Sequence, residues 1–207
     1  MIITSKSIQR SNIIFAFPAE AILKPEPQDV FSLYSPEIAK GSNYIDDPAM
    51  EIKIFNFPVL RQKIVFERGR LRVEDETQEE PDISKRAAEA HRIKTVLFKE
   101  LKPAAFGFNY DIIYRFNDVI PQREIIKNFV SNAEVENVKD FGWQFTLQKE
   151  GNKKLETYFF KVVSPLEIAL HINHHFDKTE MPPPEKFQEL FEKCYNSTDE
   201  ILKSLNF

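Results

Sequence analysis

Cysteine and glycine are both scarce in this chain of 207 residues. Cys194 is the single cysteine, which excludes an intrachain disulfide and a zinc site built from several cysteines. The five glycines, at positions 41, 69, 107, 142 and 151, are too scattered to form a loop that cradles a phosphate or a dinucleotide. The G-x-S-x-G and H-E-x-x-H motifs are missing as well. We therefore expect neither a cofactor nor a bound metal.

Long apolar runs and an excess of positive charge are also lacking. No run approaches the roughly 18 apolar residues that a helix needs to cross a bilayer, and the N-terminal segment has no secretory-signal pattern. Lysine and arginine number 28 against 32 aspartates and glutamates, which gives a net charge of −4. Because binding to duplex DNA requires cationic side chains that neutralise phosphates, this balance argues against a protein that binds duplex DNA with its whole surface. We expect a soluble cytoplasmic protein with no membrane partner, and the sequence leaves its oligomeric state open.

Aromatic residues are plentiful, since the chain contains 19 phenylalanines. The stretch 104–116, AAFGFNYDIIYRF, is predicted to be one long strand near the middle of the chain. Its second part, DIIYRF at 111–116, is similar to NIIFAF at 12–17, and a segment containing proline follows each of them. We interpret the central strand as the start of a second copy of the first half.

Hydrophobic periodicity predicts one element order for both halves: a strand, a helix, three strands and a helix. In the first half the predicted elements span 11–17, 28–39, 51–57, 59–67, 70–76 and 83–101. In the second half they span 104–116, 121–131, 139–148, 155–163 and 166–176, and a long helix follows the three prolines at 182–184. Halves rich in hairpins favour antiparallel pairing, with the two long helices packed on one face of the sheet.

The predicted fold is therefore α+β, with internal duplication. One β-α-β-β-β-α half spans residues 1–103 and a similar one spans 104–207, within one compact globular unit. Two such halves could join into one curved sheet of about eight strands, which would leave one face or one edge of the sheet available to a partner. In its order of elements this arrangement resembles the saddle of the TATA-binding protein.

A basic hairpin is predicted around the turn Arg68-Gly69, where glycine supplies a positive φ. Its cationic residues are Arg61, Lys63, Arg68, Arg70 and Arg72, of which all but Arg68 are expected on one strand face. Such side chains can contact nucleic-acid phosphates or an acidic protein. The segment 74–82, EDETQEEPD, follows at once and offers acidic partners within the chain. A solvated, internally paired face is therefore the alternative reading.

A second candidate site is the histidine segment, which we define as His171, Asn173, His175 and Asp177. Strand alternation places the first three on one face and His174 on the other. His171 and His175 would lie about 13 Å apart along the strand, which is too far for both to bind one metal ion unaided. The segment is either a metal or His/Asp catalytic site, or a set of ordinary surface histidines.

Asn109, Asp111 and Arg115 form a polar set on the central strand that could position a ligand or join the two halves. Cys194 lies on the apolar stripe of the last helix, which predicts a core position.

Because no convergent catalytic set emerges, we expect a non-catalytic binding or scaffold protein that engages a protein partner through an exposed sheet face or edge. The alternatives are a nucleic-acid-binding module that uses the basic hairpin, and an enzyme centred on residues 171–177.

Overall fold

The computed structural model describes residues 1–21, 23–131, 134–138, 140–149, 154–177 and 180–204. Within these residues, nine strands form a single antiparallel sheet in the order β2-β3-β4-β5-β1-β6-β9-β8-β7. The strands are β1 (Ile3–Ala16), β2 (Asn43–Asp47), β3 (Ile52–Phe57), β4 (Gln62–Glu67), β5 (Arg70–Asp75), β6 (Ala105–Phe116), β7 (Gly142–Lys149), β8 (Lys154–Ser164) and β9 (Glu167–Phe176).

Six α-helices accompany the sheet in the described part of the chain, and two of them are long. They are α1 (Pro27–Phe31), α2 (Pro36–Lys40), α3 (Pro81–Ser84), α4 (Arg86–Leu97), α5 (Gln122–Ile126) and α6 (Pro184–Ser204). Short 3₁₀ helices occupy 58–60 and 135–137. No described helix is both long and apolar enough to span a membrane. The α+β class, the antiparallel sheet and the two long helices of the sequence prediction are confirmed.

The core lies between one face of the sheet and the two long helices. Phe187 of α6 packs against Phe15 of β1 and against Phe106 and Phe108 of β6, with ring centroids 5.1–5.7 Å apart. The same phenylalanine contacts the His91 ring of α4, so α4 and α6 cover the same face. Successive strand residues point to opposite faces, and we name the other side the helix-free face. Its residues decide what the sheet can present to a partner.

Buried aromatic residues with polar ends are satisfied within this core. The Tyr110 hydroxyl donates to the Phe191 carbonyl oxygen at 2.7 Å, and the Tyr114 hydroxyl donates to Asp199 at 2.7 Å. Cys194 is 1% exposed among the same side chains, as its place on the helix stripe predicted. Burial raises the pKa of its thiol to about 12, so the thiol stays protonated at neutral pH.

Several predicted element boundaries are wrong. β1 starts at Ile3 rather than at residue 11, because its first half pairs with the end of β6. The segment 43–47, which lies between the predicted helix 28–39 and the predicted strand 51–57, forms the edge strand β2 on β3. The predicted helix 121–131 is helical only over Gln122–Ile126, and 28–39 is divided into α1 and α2 by Pro36. Residues 150–153, between the predicted strands 139–148 and 155–163, and residues 205–207 after the last helix lie outside the described residues.

Candidate interaction surface

Three asparagines meet at the centre of the helix-free face. Asn12 of β1, Asn109 of β6 and Asn173 of β9 are direct neighbours in the strand register. The Asn109 amide donates to Asn12 Oδ1 at 2.7 Å, and the Asn173 amide donates to Asn109 Oδ1. Asn12 and Asn109 are only 9% and 5% exposed. These bonds fix the side chains across three strands, because a buried amide without partners would cost about 1–3 kcal/mol.

A charged set lies beside the asparagines on the same face. Arg10 of β1 reaches Asp111 of β6 with Nε at 2.9 Å, and His171 of β9 contacts the other Asp111 oxygen through Nδ1 at 2.6 Å. Burial alone would raise the pKa of Asp111, but hydrogen bonds from His171 and Arg10 outweigh it and lower that pKa. Since the Asp111 carboxylate accepts, Nδ1 of His171 donates this hydrogen bond and Nε2 takes no part in it.

The predicted set of Asn109, Asp111 and Arg115 is only partly correct. All three residues share the helix-free face, but Arg115 is exposed at the end of β6 and the guanidinium beside Asp111 belongs to Arg10. Residues four apart along a strand are separated by about 13 Å, whereas directly paired residues on neighbouring strands are about 5 Å apart. Strand register, which the sequence does not reveal, decides the partner.

The asparagines belong to a longer line of polar residues, which we name the polar row. The strand registers place one polar side chain from each strand in this line across the whole sheet. Thr146 and Thr157 share a hydrogen bond of 3.0 Å within it. The members, from one edge to the other, are Asn43, Asn56, Lys63, Glu74, Asn12, Asn109, Asn173, Thr157 and Thr146.

Exposed apolar side chains on the same face flank the polar row. Phe159 of β8 is 40% exposed on one side of the row, and Ile45 of β2 is 55% exposed on the other side. The Phe159 ring lies over Gly142 of β7, where an added Cβ would come within 3.1 Å of its Cζ. Glycine at position 142 therefore makes room for this ring on the helix-free face.

The basic hairpin forms, and its cationic side chains differ in whether they form ion pairs. Lys63 pairs with Glu76, and Arg72 lies 2.9 Å from Glu74 and 3.3 Å from Glu67. Internal pairing, one of the readings of the sequence, therefore holds for these two cations. Arg68 and Arg70 are exposed, and no ion pair joins either of them to a described residue.

The expected place of Arg61 in this set is wrong. Pro58 starts a 3₁₀ helix that ends at Leu60, and Arg61 adopts a left-handed conformation with φ of 48° before β4 begins at Gln62. Its guanidinium points to the Thr77 carbonyl oxygen at 3.4 Å. A residue in this conformation is outside the strand alternation, so Arg61 does not extend the face of Lys63.

The histidine segment alternates as predicted, and its members are separated in space. His171 bonds to Asp111, while His175 Nε2 contacts Asp177 at 2.9 Å. Asn173 belongs to the polar row. His174 points into the core and is 0% exposed. Among the described residues no group of three or more His, Cys, Asp or Glu side chains is arranged to hold a metal ion.

Comparison with known proteins adds little to this geometry. No protein-family model matches the chain, and no curated protein matches it. Among solved structures, the chain is similar to the TBP of Methanococcus jannaschii at 9% sequence identity and a TM-score of 0.40. The match covers 94% of this chain and 98% of that one. A score this low does not establish a shared fold.

A buried ionic cluster, which sequence reasoning missed, lies on the covered face between β8 and β9. Glu156 is 1% exposed and accepts from Lys154 at 2.6 Å, Lys149 at 2.7 Å and the Tyr158 hydroxyl at 2.9 Å. His174 Nδ1 lies 3.3 Å from the same carboxylate, and burial lowers the pKa of this imidazole. The sequence does contain a signal for this placement. In strand β8, alternation puts Glu156 on the same face as the core residues Tyr158 and Phe160.

Proposed function

We propose that this protein is a non-catalytic binding or scaffold protein that engages a protein partner through the helix-free face. The observation that carries this proposal is the polar row, whose central asparagines are fixed by hydrogen bonds across neighbouring strands. Side chains that are already ordered lose little conformational entropy on binding. A surface held in this way, with no helix over it in the described chain, is suited to recognition.

Apolar anchors next to the polar row support a protein as the partner. Phe159 of β8 and Ile45 of β2 both lie on the helix-free face, and both are well exposed. Aromatic anchors surrounded by polar groups contribute most of the binding energy in protein interfaces. Phe159 would serve as such an anchor, and its neighbour His171 would contribute a directed hydrogen bond through Nε2.

Internal duplication is the second part of the proposal, with halves 1–103 and 104–207 in one globular unit. Its support is the order of the strands outward from the centre. The first half runs β1, β5, β4, β3, β2 and the second runs β6, β9, β8, β7, so four strands of each half have a counterpart in the same place and the edge strand β2 has none. Superposition of the two halves that failed to align these strands in this order would contradict the duplication.

The two alternatives receive less support. A nucleic-acid site on the basic hairpin would need its cations available, yet Lys63 and Arg72 are bound by acidic side chains. An enzyme centred on 171–177 would use the oriented imidazole of His171, but this ring has no hydrogen bond to a hydroxyl or thiol of a described residue.

Site-specific cross-linking tests the proposal. The photoreactive amino acid p-benzoylphenylalanine replaces Phe159 in one variant and Val96 in the control. Val96 is 59% exposed on α4, on the opposite side of the sheet. After irradiation in the host cell, we expect a cross-linked polypeptide at position 159 and none at position 96. Equal cross-linking at both positions, or a nucleic acid as the product at 159, would contradict the proposed function.

A further inference from the structure

The tip of the β4–β5 hairpin borders a cleft on the helix-free face. Arg68 and Gly69 have φ values of 40° and 75°, so both central residues of this two-residue turn are left-handed, as in a type I′ turn. Glu67 and Arg70 are directly paired on either side of it. The cleft has a volume of about 400 Å³ and is lined by Met50, Ile52, Glu67, Arg68 and Arg70.

Two guanidinium groups dominate the charge of this cleft. Glu67 contacts Arg72 at 3.3 Å, which compensates its negative charge from outside the cleft. Arg68 and Arg70 are exposed and have no ion pair with any residue in the described part of the chain. A guanidinium group binds a carboxylate through two parallel hydrogen bonds. The cleft is therefore complementary to a carboxylate.

The opposite wall of the cleft is apolar. Met50 is 54% exposed and Ile52, which pairs directly with Glu67, is half-buried. The neighbouring line on the same face contains Ile45 and Ile54, which are paired with each other. Apolar surface therefore continues from the cleft towards the edge strand β2. When an acidic residue of a partner segment occupies the cleft, an aliphatic residue next to it in that segment could pack on this apolar surface.

Nearby acidic residues favour a peptide over a nucleic acid. Asp47 accepts hydrogen bonds from the Ala49 and Met50 amides at 3.1 Å, which holds its carboxylate beside the cleft. Glu51 follows Met50 directly in the chain. A continuous line of phosphates would meet these negative charges, whereas a single carboxylate flanked by apolar residues would avoid them.

We propose that this cleft binds an acidic residue of an extended protein segment, with an adjacent aliphatic side chain packed on Met50 and Ile52. The inference rests on the proposed function and names the chemistry of the partner. One carboxylate would bridge Arg68 and Arg70. The segment would continue along the apolar line of Ile45 and Ile54.

Fluorescence anisotropy with labelled synthetic probes tests this inference. The probes are three serine-based octapeptides with one central charged residue and a short DNA duplex. The central residue is a glutamate flanked by leucines in the leucine–glutamate peptide, a glutamate flanked by serines in the second, and a lysine flanked by leucines in the lysine peptide. We expect the leucine–glutamate peptide to bind best, and its affinity to fall as salt is raised. The double variant Arg68→Asn, Arg70→Thr should weaken this peptide by roughly tenfold or more, since charge-assisted hydrogen bonds are lost. Asparagine tolerates the left-handed conformation of position 68.

Arg115→Thr is the matched control, because Arg115 is an exposed arginine on the same face of β6. It should leave the peptide affinity unchanged. The inference would be overturned by equal binding to the double variant, by a preference for DNA or the lysine peptide, or by no binding to the wild type. In each of these outcomes a cross-link at position 159 would still support the proposed function. Peptide binding without that cross-link would instead count against the proposed function.

Discussion

Replacing Glu156 by glutamine should destabilise the protein strongly. Glu156 is almost fully buried and compensates two ammonium groups, those of Lys149 and Lys154. Glutamine keeps the shape of the side chain but removes its charge. The Lys149 side chain is 44% exposed and can turn towards water, whereas the Lys154 side chain is 12% exposed and would lose this ion pair inside the protein.

The size of the effect follows from this difference in burial. Removing one partner of a buried ion pair costs about 3–5 kcal/mol, because the remaining charge has little access to water. With only Lys154 buried, we expect Glu156→Gln to lower the free energy of unfolding by about 3 kcal/mol. Native domains are stable by roughly 5–15 kcal/mol, so the variant should still fold.

Urea unfolding measures this quantity directly. Trp143 is the single tryptophan and stacks on Phe160 of β8 at 5.0 Å, so its fluorescence reports on the sheet around the cluster. Asp140→Asn is the matched control, since it removes the exposed ion pair between Asp140 and Lys161. This control should leave the unfolding midpoint unchanged.

The pH dependence supplies an independent check. Burial alone would raise the pKa of Glu156, but His174, Lys149 and Lys154 together hold it well below its ordinary value of 4.5. A lowered pKa in the folded state means that the stabilisation is complete above pH 4.5 and is lost as the pH falls further. The gap between wild type and Glu156→Gln should be constant from about pH 6 to 8 and should narrow below pH 4.5. Equal stability at pH 7, or a gap that persists unchanged into acid, would refute the reasoning.

Three further variants or measurements test other parts of the structure. Gly142→Ala places a Cβ 2.8 Å from the Phe160 carbonyl oxygen and should cost about 1–3 kcal/mol in urea unfolding. Gly41→Ala, whose Cβ would meet its nearest atom at 3.8 Å, should be close to neutral and serves as its control. Asn109→Leu breaks two hydrogen bonds of the polar row and should lower the thermal midpoint by several degrees, an effect of about 1–3 kcal/mol. Cys194, buried and with a raised pKa, should react with a thiol reagent at pH 8 only after denaturant is added, and rapid reaction of the native protein would contradict its placement.

The parts of the fold that face the core could be predicted from the sequence. In β9, alternating buried residues such as Ile168 and Leu170 identify the strand and its inner face, and the stripe of α6 identifies the last helix. Edge strand β2 has little buried surface, so its segment reads as a loop. The first half of β1 is stabilised by its pairing with β6, and its own sequence shows little periodicity.

The polar contacts on the helix-free face were less predictable, because they too depend on which strands pair. Alternation predicts the face on which the histidine segment lies. It does not predict that His171 contacts Asp111, because Asp111 lies on another strand. Arg10 and Asp111 come together through the pairing of β1 with β6, across a long separation in sequence. Only the register of that pairing decides which polar residues meet. Hydrophobic alternation excludes a shift by one residue, but a shift by two residues would keep every side chain on its face and change the polar partners.

The central place of β1 has a consequence for how the chain is made. β1 is synthesised before both of its neighbours in the sheet, and β5 can pair with one of its edges as soon as β5 has left the ribosome. Its other edge waits for β6, which ends 41 residues after β5 and is therefore complete roughly 2–8 seconds later at about 5–20 residues per second. During that interval a long strand edge is open to other nascent chains on the same messenger RNA. Because β6 closes this edge, faster synthesis of the segment between β5 and β6 would shorten the time in which nascent chains can pair wrongly.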